Sequence, residues 1–130
     1  MQARAAATLP AQDLVRAKAW YSEKFGLKPS GFDPLGGAIY ELSGGTGFLL
    51  FQSSGQPSGT HTQMSIEVQE FDTTFRDLKA RGVKFEDYDL PGLKTVNGVA
   101  TFGDLKAAWF KDSEGNLVSL GTPVPVTAAR

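Results

Sequence analysis

His61, Gln63, Ser65 and Glu67 stand two residues apart in the stretch His61-Thr-Gln-Met-Ser-Ile-Glu-Val68, and each carries a group able to do chemistry. Imidazole titrates near neutral pH and serves as a general acid or base. Amide and carboxylate oxygens join it as ligands for hard or borderline cations. Two-residue spacing puts the four on one face of a strand and Met64, Ile66 and Val68 on the other. The greasy face calls for a packing partner. The polar face is left for solvent, a partner or a ligand. His61 is the only histidine and follows a connector, Ser53-Ser-Gly-Gln-Pro-Ser-Gly59, so it reads as a rim residue at the strand's outer end. No Ser-His-Asp set can be assembled from local motifs, and no phosphate-cradling glycine loop precedes a helix.

The elements that must position these groups follow from periodicity. Residues 5–9 read as a short strand closed by Pro10. Asp13 then offers an N-cap, Leu14, Ala17, Trp20, Tyr21 and Phe25 recur at helical spacing, and Gly26 supplies a stop. Trp20 and Tyr21 therefore belong to a buried stripe. Strands are expected at 28–33, 37–42 and 47–52, the last two joined at Gly44-Gly45 as a hairpin. The pattern then restarts: strand 60–68, helix 70–81, Gly82, a strand over 83–88, and strands at 107–111 and 117–121 around a turn at 112–116. The chain thus divides into one module over about 1–53, a linker at 53–59, a second module over about 60–122 and a tail at 123–130. The two are a repeat of architecture more than of letters. Gly26-Leu27-Lys28 and Gly82-Val83-Lys84 mark the same point in each, whereas the closing strands lie farther apart, so the second module carries about a dozen extra residues. They fall in 89–103, whose Gly and Pro punctuation is that of a long loop, either an insertion or a cover for a site.

Composition narrows the function. With 130 residues, 41% hydrophobic and 21% charged, the chain fits one soluble domain able to bury a core. A net charge of −1 and the lack of any Lys/Arg run argue against nucleic acid or an anionic membrane as partner. There is no cysteine, which excludes disulfides, thiolate metal sites and cysteine nucleophiles. No stretch reads as a signal peptide or a bilayer span, so a cytoplasmic protein is expected.

Three stretches in order resemble a known superfamily. The helix Asp13-Leu-Val-Arg-Ala-Lys-Ala-Trp-Tyr-Ser-Glu-Lys-Phe-Gly-Leu27, the strand–helix unit 61–82 and the closing segment Ala108-Trp-Phe-Lys-Asp-Ser-Glu-Gly-Asn-Leu-Val-Ser-Leu120 are similar to those of the vicinal-oxygen-chelate superfamily. That group includes glyoxalase I, bleomycin-resistance proteins and extradiol dioxygenases. The resemblance implies an α+β fold, two βαβββ modules forming a curved mixed sheet around an open cleft, and often a homodimer. It also implies a divalent-metal site at four strand positions. Carried over one at a time, these fall on Ala6, Leu50 (or within a residue of it), Gln63 and Ser119. Only Gln63 could bind a metal, so the metal site looks lost and no cofactor is expected.

Fold alone does not give the reaction. If Leu50 points into the cleft, alternation brings Phe48 and Gln52 with it. Tyr40 (or Ile39) does the same on its strand, and one of Trp109 and Phe110 must face inward. The expected site is therefore Tyr40, Phe48, Leu50, Gln52, His61, Gln63, Ser65, Trp109, Phe110 and Ser119, without a catalytic residue. Aromatic walls with a few amides and hydroxyls suit a small, largely apolar or aromatic molecule, held without metal as drug-sequestering members of the superfamily hold theirs. Two alternatives stay open. One is a glyoxalase- or dioxygenase-type enzyme with atypical ligands, or one using His61 and Glu67. The other is a non-catalytic module whose aromatics simply fill the cleft.

Overall fold

The computed structural model describes residues 1–124; of the expected tail, 125–130 lie outside the described residues. Strand β1 (Ala7–Ala11) leads into helix α1 (Leu14–Phe25), then β2 (Gly31–Phe32), β3 (Ala38–Glu41) and β4 (Gly47–Gln52). After the connector come β5 (Met64–Glu67), helix α2 (Phe71–Ala80), a small hairpin of β6 (Asp89–Leu90) and β7 (Leu93–Lys94), and then β8 (Ala100–Phe102), β9 (Leu105–Lys111) and β10 (Leu117–Gly121). Two four-stranded mixed sheets result, ordered β1-β4-β3-β2 and β5-β10-β9-β8. In each, the strand before the helix returns parallel to the last strand, while the other neighbours are antiparallel. The repeated module is thus real, and an open cleft lies between its two copies.

Local chemistry explains the ends of the elements. Asp13 caps α1, its carboxylate accepting from the Arg16 amide at 3.0 Å. Gly26 ends the helix at φ 67°, where an L side chain would be strained, and its N–H donates back to the Ser22 carbonyl. Strand β1 does not stop at Pro10 as expected but continues to Ala11, because an edge strand tolerates a missing N–H. The expected strand at 28–33 shrinks to two residues. Strand 60–68 shrinks to Met64–Glu67, and 83–88 contributes only a bridge between Phe85 and Phe110. The outer position of the second sheet goes instead to β8, from within the insertion.

One core serves both modules. Leu9, Ala17, Tyr21, Phe48 and Leu50 from the first join Leu78, Phe110, Val118 and Leu120 from the second. Aromatic rings run through it: Trp20 stacks on Phe110 at 5.9 Å, Phe110 meets Phe85 edge-on at 5.8 Å, and Phe85 lies 4.4 Å from Phe75 of α2. A buried polar latch adds direction. Tyr21 donates to Asp112 at 2.7 Å, and Arg16 grips Glu114 through Nε at 2.8 Å and Nη2 at 2.9 Å. The Asp13 N–H donates to Glu114 as well, so the start of α1 is tied to the β9–β10 turn.

Candidate functional site

The sheets have two faces, and pairing register decides what each carries. Leu9 sits opposite Leu50, and Tyr40 opposite Phe48, all buried against α1. Alternation then sends Thr8, Ile39, Leu49 and Phe51 to the open face. In the second sheet Ala108 and Phe110 are fully buried, so Ala107 and Trp109 take the open side. Met64 is buried, leaving Gln63, Ser65 and Glu67 on the open side of β5.

Where the modules adjoin, Gln63, Ser65 and Glu67 border a recess of about 1120 Å³. One wall is β5, with Gln63, Ser65 and Glu67. The facing wall is Glu41 with the turn residues Ser43, Thr46 and Gly47. Leu27, Leu42, Ile66 and Val68 supply aliphatic surface. Glu41 and Glu67 are the only charged residues among this lining, so the recess is acceptor-rich and carries no cation. The Gln63 side-chain oxygen is buried without a hydrogen-bond partner among the described residues. Beside it the Ser119 hydroxyl donates to Ser65 across the β5–β10 pair at 2.7 Å. A smaller recess of about 260 Å³ adjoins on the first sheet, between Arg4–Ala6 and Ile39, Glu41 and Leu49.

The expected site residues therefore separate. Gln63, Ser65, Trp109 and Ser119 share the open face of the second sheet. Tyr40, Phe48, Leu50 and Phe110 do not line the open face: they are at most 2% exposed and pack into the core, where Tyr40 and Phe48 stack at 4.7 Å. The alternation was read correctly but the wrong face was turned outward, because β4 is apolar on both sides. Gln52 shares the core-side parity and is spent on the start of α1, accepting from the Leu14 N–H and donating to the Gln12 carbonyl. His61 lies between the connector and β5, its Nδ1 3.0 Å from the Ser58 hydroxyl, and it does not border the recess. Trp109 donates to Thr62 at 3.2 Å and stands edge-on to Tyr88. Glu41 and the 42–47 turn were missed. Their signal was present in β3, where Ala38 and Tyr40 form the greasier pair and Ile39 and Glu41 the other.

The insertion does not roof this recess. Its residues Lys94, Val96, Asn97 and Val99 lie instead against α2, on the helix side of the second sheet.

The chain's sequence from 4 to 120 matches the family model of the Glyoxalase/Bleomycin resistance protein/Dioxygenase superfamily. The chain belongs to this superfamily. Solved structures agree on the fold. UcmS2 is 22% identical, with 95% of this chain and 100% of that one covered and a TM-score of 0.71. TnmS3, an antibiotic binding protein from Streptomyces sp. CB03234, is 21% identical over 95% and 99%, with a TM-score of 0.70. The fosfomycin resistance protein FosX from Listeria monocytogenes is 16% identical over 95% of each chain, also at 0.70. A search of curated proteins found no match.

Membership in the superfamily raises the question of a metal, and the donor set does not fit one. Of the four carried-over positions, Ala6 has no donor, Leu50 has none and points into the core, and Ser119 is engaged with Ser65. Gln63 alone offers an oxygen. Among the described residues no group of three His, Cys, Asp or Glu is arranged to hold an ion.

Proposed function

We propose that the recess between the modules binds a small organic molecule and holds it without transforming it. The observation that carries this reading is a recess of about 1120 Å³ with aliphatic walls in which the Gln63 oxygen is left without a partner. An unpaired buried acceptor costs on the order of 1–3 kcal/mol, a cost relieved when a ligand N–H or O–H reaches it after a small side-chain rotation. Glu41 and Glu67 favour the same ligand chemistry, a molecule bearing donors or positive charge on an apolar body. Because most aromatics are core and none of them borders the recess, the ligand is held by aliphatic surface and hydrogen bonds more than by stacking. That antibiotic-binding TnmS3 and fosfomycin-resistance FosX share the fold supports a small natural product as the class. With His61 outside the recess, no observation favours an acid–base enzyme.

The same reading includes a homodimer. Among the described residues strands β1 and β5 each pair on one side only, and the recess is open-sided, so a second copy would complete its walls. A cytoplasmic protein without a nucleic-acid partner also belongs to it. No helix of the described residues is long and apolar enough to cross a membrane.

The test is tryptophan fluorescence titrated with cationic and neutral aromatic antibiotics, followed by mass spectrometry of the recovered ligand. Binding with unchanged ligand, unaffected by chelator, is the expected outcome. Gln63→Leu should weaken it at least tenfold without lowering Tm. Turnover, or stoichiometric metal by elemental analysis of untagged protein, would sink the reading.

A further inference from the structure

On the opposite side of the second sheet lies a second recess, of about 720 Å³, within the range of small-molecule sites. Lys106 and Thr101 face each other across β8 and β9 and border it, one residue out of phase with Ala107 and Trp109, so the sheet itself separates it from the cleft. Its floor is Phe75 of α2 with Val96 and Val99 of the insertion. Asp72, Phe75, Arg76 and Lys79 recur at the i, i+3, i+4, i+7 spacing of one helix face. The facing wall is held in place by the chain. Asp87 accepts from the Thr95 hydroxyl and the Gly98 N–H, each at 2.8 Å, and Val96 and Val99 exchange backbone hydrogen bonds around Asn97 and Gly98.

Charge is what sets this recess apart. Arg76, Lys79, Lys94 and Lys106 border it with a single carboxylate, Asp72, in a protein of net charge −1. Asp72 is occupied by Lys106, at 2.9 and 3.2 Å. Among the described residues no carboxylate forms an ion pair with Arg76, Lys79 or Lys94. Lys79 lays its ammonium 5.5 Å from the Phe75 ring centre, so cation and apolar floor adjoin directly. Asp87, whose charge Lys79 also senses, spends its oxygen on Thr95 and Gly98. Three cations without an ion pair at one mouth, with only Asp87 near Lys79 and Asp89 cross-strand from Lys94, favour an anion that joins them. A bare inorganic anion would leave the Phe75–Val96–Val99 floor unused.

We propose that this recess is a second binding site, distinct from the cleft, for an amphipathic monoanion. Its carboxylate would sit among Arg76, Lys79 and Lys94, and its apolar body would cover Phe75, Val96 and Val99. Aliphatic and aromatic acids share this chemistry, and the experiment separates them.

The full-length protein would be titrated with octanoate and, separately, 2-naphthoate, by calorimetry and by amide chemical-shift mapping. Expected is saturable binding of at least one acid, with shifts centred on Phe75–Lys79 and Val96–Val99. 1-Octanol and inorganic phosphate should each bind at least tenfold more weakly. The double variant Arg76→Ala, Lys79→Ala changes two exposed helix positions to a good helix former and should weaken the acid at least tenfold while keeping the wild-type Tm. Gln63→Leu, in the cleft recess, should leave acid binding unchanged, which keeps the two sites apart. Absence of binding by both acids, shifts confined to β5 and the 42–47 turn, undiminished affinity in the double variant, or equal affinity for octanol or phosphate would each overturn the proposal.

Discussion

Glu114 shows how much one side chain in a turn can carry. Its carboxylate is buried and accepts from Arg16, from the Asp13 N–H and from Ser113. These donors, Arg16 first, outweigh burial and hold its pKa near 2, against an ordinary value of 4.5. A shift of this size corresponds to ~3 kcal/mol of native-state stabilisation at neutral pH. Solvent at the half-exposed Arg16 end reduces this to ~2 kcal/mol. Because the folded-state value is lowered, the contribution is complete above about pH 4.5 and disappears as pH falls towards 2. Glu114→Gln should therefore lose ~2 kcal/mol at pH 7, with the difference from wild type closing across that window in urea melts taken at several pH values. A constant difference from pH 7 to 2 would show that packing, not charge, is what Glu114 provides. Gln63 presents the opposite case, an unpartnered buried oxygen beside the recess. Gln63→Leu should stabilise the fold by ~1 kcal/mol in thermal melts while weakening ligand binding tenfold or more. A destabilised variant would reveal an internal partner for the amide.

At the scale of elements, two glycines separate conformational strain from steric exclusion. A Cβ at Gly26 would meet nothing within 4 Å, yet φ is 67°, so Gly26→Ala is expected to cost ~1 kcal/mol through backbone strain alone. At Gly47 the φ is ordinary, but a Cβ would lie well inside contact distance of the Tyr40 carbonyl oxygen across the β3–β4 hairpin. Backbone must move there, and Gly47→Ala should cost more, ~2–3 kcal/mol. Equilibrium unfolding of the two variants tests that order, and a reversed ranking would mean the hairpin is looser than its geometry. The strands themselves divide the same way. In β5 only Met64 and Ile66 are apolar, so its outward set of Gln63, Ser65 and Glu67 was legible from alternation. In β4, Phe48-Leu-Leu-Phe51 is greasy on both faces, and alternation names two sets without saying which meets the helix.

For the whole molecule, the decisive feature is that α1 reaches across to the second sheet. Trp20 and Phe25 both pack on Phe110, which also touches Phe85, so this one ring joins the two modules. Phe110→Ala should cost ~3–5 kcal/mol and leave unfolding as one transition at lower denaturant, followed by fluorescence and circular dichroism together. Two separate transitions in the wild type would mean that the modules are stable independently.

The repeated strand–helix order, the two helices, the caps of the first, the hairpin at Gly44-Gly45 and the outward polar face of β5 were determined by the sequence alone. These rest on interactions within a few residues, and local periodicity records them. The resemblance of residues 13–27, 61–82 and 108–120 to the superfamily was equally legible. Tertiary structure decided the rest. It chose which face of β4 and which of Trp109 and Phe110 entered the core, because that depends on rings arriving from α1, Tyr21 against Phe48 and Trp20 and Phe25 against Phe110. It turned the Asp112–Asn116 turn into an inter-module latch with partners about a hundred residues away. It also gathered Arg76, Lys79, Lys94 and Lys106, scattered along a chain without a basic run, around one apolar floor. Charge acts through space, and only the fold sets those distances.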